Sequence, residues 1–198
     1  MVVRLNYPNK IKKNNIKETN YGNRGMSLES ELNSSNEYYL INDIAIIHKK
    51  PTPITITKVN YKSRMDAVIT EAFFKIPSTT DYNGIYKGKY IDFEAKETKS
   101  STSFNLNNIH AHQIEHLKKI VTHGGIGFLI IRFTVLNKTF LIEIDKVLDY
   151  INSHNRKSIP LDYIENFGYI IRDKYNPVID YLEIIDKFIL KENDYVKE

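Results

Sequence analysis

Apolar residues recur along the chain at helical spacing in some stretches and in alternation or short runs in others, and each pattern predicts an element. Ser27 is an N-cap candidate followed by Glu29 and Glu31, and Leu28, Leu32, Tyr39 and Leu40 then mark a helix to about Asn42. Residues 44–48 form a short apolar run that predicts a strand. Beyond Lys49-Lys50-Pro51-Thr52-Pro53, alternation over 54–59 and 67–76 predicts a long hairpin with Tyr61, Lys62, Ser63 and Arg64 at its polar tip. Residues 78–95 predict a second strand pair, turning at Asp81-Tyr82-Asn83-Gly84. Ile109, Ile114, Leu117, Ile120 and Val121 then have helical spacing, with Asn107 or Asn108 as cap and Gly124-Gly125 as stop. Strands over 126–133 and 139–144 and helices over 145–153, part of 161–167, and 178–190 complete the pattern. The order α, several β, α, β, β, α predicts an α/β fold built around one central mixed sheet flanked by helices.

Composition narrows the class. A chain of 198 residues is long enough for one domain with a real core. Without cysteine there is no disulfide framework, thiolate nucleophile or Cys-ligated metal, which fits a reducing cytosol. The longest nearly uncharged apolar run, 124–131, is far short of the ~20 residues of a transmembrane helix. The N-terminus lacks an apolar signal region, and a soluble cytoplasmic protein without a membrane partner is expected.

The net charge of +4 is unevenly spread. Residues 1–25 hold six basic residues, among them Lys10, Lys12, Lys13 and Arg24, against Glu18 alone; this +5 leaves the rest of the chain at −1. They predict a basic flexible arm preceding a single domain over 26–198, either a phosphate-neutralising segment or a solubilising tail. The hairpin, about residues 51–76 in all, holds Lys58, Lys62 and Arg64 and would make a basic probe for nucleic acid.

The chemistry concentrates in Thr79-Thr80-Asp81, twelve intervening residues, and Glu94-Ala95-Lys96. Strand alternation predicts one face for Thr79 and Asp81 and one for Asp92, Glu94 and Lys96, with Ile91, Phe93 and Ala95 in the core. Acids on an otherwise apolar strand are costly unless paired or metal-bound. Two convergent carboxylates suit Mg²⁺ or Mn²⁺, and a lysine two residues on would reach a scissile phosphate, the parts of metal-assisted phosphodiester hydrolysis. Exposed ion-paired strand residues would give the same string. His112 and His116 have the i, i+4 spacing of a helical zinc pair, but no third ligand is evident, and with His110 they read as surface or DNA-facing residues. Glu29 reads as an acid of the first helical turn, and Asp92 as a supporting group on the same face as Glu94.

Three strings make the sequence resemble a known family: residues 77–84 (PSTTDYNG), 90–99 (YIDFEAKETK) and 112–116 (HQIEH). Residues 23–26, 48–53 and 156–159 add further similar segments in the same order. They resemble the RecU family of Holliday junction resolvases, within the PD-(D/E)XK nuclease superfamily. The resemblance implies that Thr79, Asp81, Glu94 and Gln113 hold Mg²⁺, with Mn²⁺ as substitute, and that Lys96 stabilises the transition state. Pro77 stands four residues before the aspartate, a departure from the superfamily name that the family shares. On the helix that follows, Gln113 lies at the edge of the apolar stripe through Leu117 and Ile120, where its amide can face the site; without the resemblance it reads as a solvent-facing helix glutamine.

The activity so implied is Mg²⁺-dependent, structure-selective endodeoxyribonuclease cleavage, resolving four-way junction DNA by paired symmetric nicks in recombination and repair. The resemblance further implies a homodimer, a protruding hairpin stalk at the junction centre, and strand-exchange recombinase and branch-migration helicase partners. Two alternatives stay open: another PD-(D/E)XK nuclease acting on duplex DNA, and a non-catalytic junction-binding or recombinase-modulating protein.

Overall fold

The computed structural model describes residues 27–60, 67–74 and 79–190. The basic arm over 1–25, with Lys10, Lys12, Lys13 and Arg24, and the hairpin-tip residues Lys62 and Arg64 lie outside the described residues.

Helix α1 (Leu28–Ile41) starts at the expected cap: the Ser27 hydroxyl accepts the Ser30 N–H at 3.3 Å. It ends at Asn42, and Asp43 (φ 54°) turns the chain so that the Ile44 N–H donates to the Tyr39 carbonyl at 2.9 Å. That closure holds Ile44 against the helix, so strand β1 (Ile46–Lys49) begins two residues later than its apolar run does. Strands β2 (Ile54–Asn60) and β3 (Val68–Phe74) pair antiparallel with each other in a sheet of their own, and all their residues are exposed.

Strands β4 (Tyr82–Tyr86) and β5 (Lys89–Thr98) form the second hairpin, but its turn is at Lys87-Gly88 and not at 81–84. Lys87 (φ 47°) and Gly88 (φ 74°) supply the two left-handed residues that a tight hairpin turn requires. Gly84 lies inside β4 for a different reason. It pairs with Ile47 of β1, and a Cβ there would come within 2.1 Å of the Ile46 carbonyl oxygen. Thr79 and Asp81 precede β4, so strand alternation does not set their directions as it does for Asp92, Glu94 and Lys96 on β5.

Short β6 (Ser103–Asn105) and a 3₁₀ turn over Leu106–Asn108 follow. Helix α2 (Ala111–Thr122) is therefore capped at His110, with Asn107 and Asn108 used in the preceding turn. Gly124 (φ 83°) is the stop. Strands β7 (Ile126–Phe133) and β8 (Lys138–Glu143), helix α3 (Ile144–Ser153) and helix α4 (Leu161–Phe167) agree closely with their periodicities. The three-residue strands β9 (Ser158–Pro160) and β10 (Tyr169–Ile171) are too short to show a period. The predicted last helix is divided into α5 (Tyr181–Ile184) and a π-helical segment over Ile185–Leu190. It starts late because the Asp180 carboxylate caps the Glu183 N–H at 3.3 Å.

The main sheet has the order β1-β4-β5-β7-β8-β10, parallel only between β5 and β7, which α2 connects. It is the predicted mixed sheet flanked by helices. Alternation along β7 divides two cores: Phe128 and Ile130 face α1 and the C-terminal helical segment, while Leu129 and Ile131 face α2, α3 and α4. Tyr82, Phe93 and Phe128, in register on β4, β5 and β7, stack with centroids 4.8 Å apart at both steps and interplanar angles of 9° and 11°. Tyr181 closes the stack from above, 5.1 Å from Phe93. Arg132 of β7 pairs with buried Glu31 of α1, fixing the helix on the sheet. Among the described residues no helix is long and apolar enough to cross a membrane.

In thermal unfolding, Phe93→Ala is expected to cost about 3–5 kcal/mol as a cavity in a closed stack. Gly84→Ala is expected to cost about 1–3 kcal/mol by overpacking against β1. A Gly84→Ala variant as stable as the parent would refute the close β1–β4 approach.

Candidate active site

Strand β5 puts Phe93 in the aromatic stack, so its neighbours Asp92 and Glu94 must face the other side, toward α2. Both carboxylates are 0% exposed, which rules out solvated surface acids and demands partners. Helix α2 supplies one to each. Gln113 Nε2 donates to Glu94 Oε1 at 2.8 Å, and His116 Nε2 lies 3.0 Å from Asp92 Oδ2. Gln113 and His116 are three apart and share a helix face, so one helix meets two alternate strand residues. Gln113 is held in turn at the start of α2, where its Oε1 accepts the His110 N–H at 3.0 Å.

Lys96 completes the centre. Its ammonium contacts Glu94 Oε1 and stands 3.9 Å from Asp81 Oδ2, between the two acids. Asp81 is half-buried, its Oδ2 accepting the Ala95 N–H at 3.2 Å beyond the end of the β4–β5 pairing. The structure therefore brings Asp81, Glu94, Lys96 and Gln113 into one cluster. Thr79 joins at one remove: it is exposed, and its Oγ1 accepts from Lys50 Nζ at 3.1 Å while the Lys50 N–H donates to the Asp81 carbonyl at 2.8 Å. A concavity of about 240 Å³ opens at Asp81 and Lys96, walled by Ser27, Leu28 and Glu29. A larger one of about 1360 Å³, bounded by Tyr38, Tyr86, Lys174 and Asp186, holds none of the five candidates, so the chemistry rather than the size marks the site.

One atom is diagnostic. Glu94 Oε2 is buried and has no hydrogen-bond partner. Burial pushes the Glu94 carboxyl above its usual range, opposed by the adjacent Lys96 and reinforced by the Asp81 charge. A bare carboxylate oxygen beside a second acid is a donor set that suits a hard divalent cation, while the Gln113 side-chain oxygen is turned to the His110 N–H and the Thr79 hydroxyl to Lys50. Among the described residues no three His, Asp or Glu side chains converge, so such a cation would depend on those two carboxylates.

The remaining candidates have other partners. His116 is not a free surface group but a partner of Asp92, while the His110 and His112 rings stack on each other at 5.4 Å. Glu29 pairs with Lys49 at the surface. Lys58 is exposed on β2, apart from the cluster. Sequence reasoning missed Lys50 and Glu97; the latter accepts the first N–H of α1, from Leu28, at 2.8 Å. Only the shared face of Asp92 and Glu94 hinted at such support.

Together these features define a class, an α/β protein with a buried acid–lysine–glutamine cluster between a central strand and the following helix. The sequence profile of Recombination protein U matches residues 23–187, and the chain belongs to that family. It is 53% identical over 186 residues to the Holliday junction resolvase RecU of Bacillus cereus (strain B4264), covering 92% of this chain and 93% of the relative. The protein of the same name from Bacillus cytotoxicus shows the same identity and coverage, and that of Bacillus anthracis (strain CDC 684) is 52% identical over the same shares.

Glu94→Gln is expected to be more stable than the parent in the absence of metal, because it removes a buried charge. The sign follows from linkage: a carboxyl whose folded pKa is raised keeps its proton longer folded than unfolded, so stability falls as pH climbs from about 4.5 through the raised value. The variant should lack that fall. Melting curves against pH measure it, each kcal/mol being about 2–4 °C in a chain of this size.

Proposed function

We propose that this protein is a divalent-metal-dependent, structure-selective endodeoxyribonuclease that resolves Holliday junctions, and that Mg²⁺ is its metal. The observation that carries this reading is the convergence of Asp81, Glu94 and Lys96 with Glu94 Oε2 buried and unpartnered. The names of the relatives support the substrate. The arrangement also fits a PD-(D/E)XK nuclease, as a mixed sheet whose central strand carries the Glu-x-Lys pair.

In this reading Asp81 and Glu94 hold the cation, helped by Thr79 and by Gln113, whose amide fixes the Glu94 carboxylate. When bound, the cation polarises the scissile phosphate and lowers the pKa of water. Lys96 meets the negative charge that develops on the phosphoryl oxygens. The wall formed by the first turn of α1 orients the strand entering the concavity. A four-way junction has approximate two-fold symmetry, so a symmetric homodimer carries two such centres to strands of like polarity and makes paired nicks. The β2–β3 hairpin, exposed along its whole described length and outside the main sheet, suits a stalk reaching the junction centre, with Lys58 on β2 and Lys62 and Arg64 in the sequence that joins its strands. The 1–25 arm adds phosphate contacts to a single nuclease domain over 26–198. A recombinase and a branch-migration helicase are natural partners for such an enzyme in the cytoplasm.

On a synthetic mobile four-way junction with Mg²⁺, paired symmetric nicks are expected, with the matching linear duplex spared. Asp81→Asn should bind the junction but cleave it at least about 10²-fold more slowly. Cleavage persisting in that variant would remove Asp81 from the site, linear duplex cut equally well would favour a duplex nuclease, and binding with no cleavage by the parent would favour a non-catalytic junction binder. Deleting residues 1–25, with Lys10, Lys12, Lys13 and Arg24, should weaken junction binding and flatten the slope of log affinity against log salt, by roughly 0.9 for each phosphate no longer neutralised. An unchanged slope would reduce the arm to a solubilising tail.

A further inference from the structure

Lys50 belongs to none of the residues that mark the site, yet its side chain is only 15% exposed and reaches three oxygens. Its ammonium donates to Asp92 Oδ2 at 2.8 Å, to Thr79 Oγ1 at 3.1 Å and to Thr80 Oγ1, and its backbone N–H donates to the Asp81 carbonyl at 2.8 Å. Asp92 is the anchor. Its Oδ2 also takes the Tyr90 hydroxyl at 3.1 Å and faces His116 Nε2 at 3.0 Å, while its Oδ1 accepts from Thr80. Segment 79–81 precedes β4 and lacks a ladder of its own at Thr79 and Thr80. Lys50 ties that segment by side chain and by backbone to Asp92, and Asp92 stands two residues from Glu94 on one strand face.

We propose that Lys50 and Asp92 are positioning residues that fix Thr79 and Asp81 relative to Glu94 and so preorganise the cation site. The proposal rests on reading Thr79, Asp81 and Glu94 as the groups that hold the cation. A lysine so placed is not one that meets DNA: its charge is spent on a buried carboxylate, and Thr79 Oγ1 keeps a second lone pair after accepting from it. Groups that orient ligating side chains typically change metal affinity 10–100-fold when removed.

The test titrates the full-length protein with Mn²⁺ alone, following the free ion by electron paramagnetic resonance, beside melting curves and junction binding without divalent metal. Lys50→Met is expected to weaken Mn²⁺ binding about 10–100-fold while junction affinity and its salt slope stay unchanged. Asp92→Asn, nearly isosteric, should weaken it in the same direction and keeps the test open if Lys50→Met does not fold. In a Thr79→Val background, Lys50→Met should weaken Mn²⁺ binding by a clearly smaller factor than in the parent, because part of its effect passes through Thr79. Unchanged Mn²⁺ binding in Lys50→Met or in Asp92→Asn would overturn the proposal. So would a lowered junction affinity and salt slope with Mn²⁺ binding intact, which would make Lys50 a phosphate-binding residue. Failure of the underlying reading looks different: the parent would bind no Mn²⁺, or Asp81→Asn would bind it as the parent does, and the positioning role would fall with it.

Discussion

Register along β5 is the constraint on which the rest of this molecule depends. Phe93 sits between Tyr82 and Phe128 in a stack that crosses three hydrogen-bonded strands. A one-residue slip would send Phe93 toward α2 and bring Asp92 and Glu94 into an apolar core beneath Tyr181. That alternative dismantles the aromatic stack and buries two charges without partners, so a single register is favoured strongly. The polar features of the site that lie on β5 follow from it. The strand face opposite the stack receives acids at 92 and 94 and a lysine at 96 because the period of a strand leaves no other choice.

Burying two carboxylates on a central strand is costly, and the two are compensated differently. Asp92 is surrounded by donors from four parts of the chain, Lys50, Thr80, Tyr90 and His116, so its charge is fully solvated by protein. Glu94 is left half-satisfied, with Gln113 and Lys96 on one oxygen and nothing on the other. A fold selected for stability alone would satisfy Glu94 as it does Asp92. The contrast between two acids two residues apart, in one environment, argues that the bare oxygen of Glu94 is kept for a ligand.

The elements with long, regular periods were legible in the sequence, because burial of one face is encoded locally. That Asp81, Glu94, Lys96 and Gln113 lie together was legible only through the family resemblance: their pattern alone equally fits exposed ion pairs on a strand, and periodicity places Gln113 merely at the edge of the apolar stripe, where a solvent-facing glutamine is as well accommodated. The misplaced features share another cause. The signal Asp81-Tyr82-Asn83-Gly84 reads as a turn because glycine serves both positive φ and close approach, and only the pairing of Gly84 with Ile47 tells the two apart. Lys50 and Asp92 are 42 residues apart, Glu31 and Arg132 are 101 apart, and no periodicity relates them. His116 looked exposed because its partner comes from the sheet rather than from its own helix. Polar contacts across elements are decided by tertiary packing, which a local pattern does not contain.

In the proposed mechanism, charge also decides when the centre can accept DNA. Counting Asp81, Glu94 and Lys96 as ionised, the centre carries −1, a poor place for a phosphodiester to approach. With a divalent cation held there the same cluster carries +1 and attracts one. In the proposed mechanism the centre therefore admits the backbone only when it is able to cut it, and Lys96 has two successive duties, holding the acids together before loading and meeting the phosphate after. In the same reading, the excess of positive charge in residues 1–25 and at Lys58, Lys62 and Arg64 would serve capture at a distance. On that mechanism the body near the site need not be basic, because its positive charge would arrive with the metal.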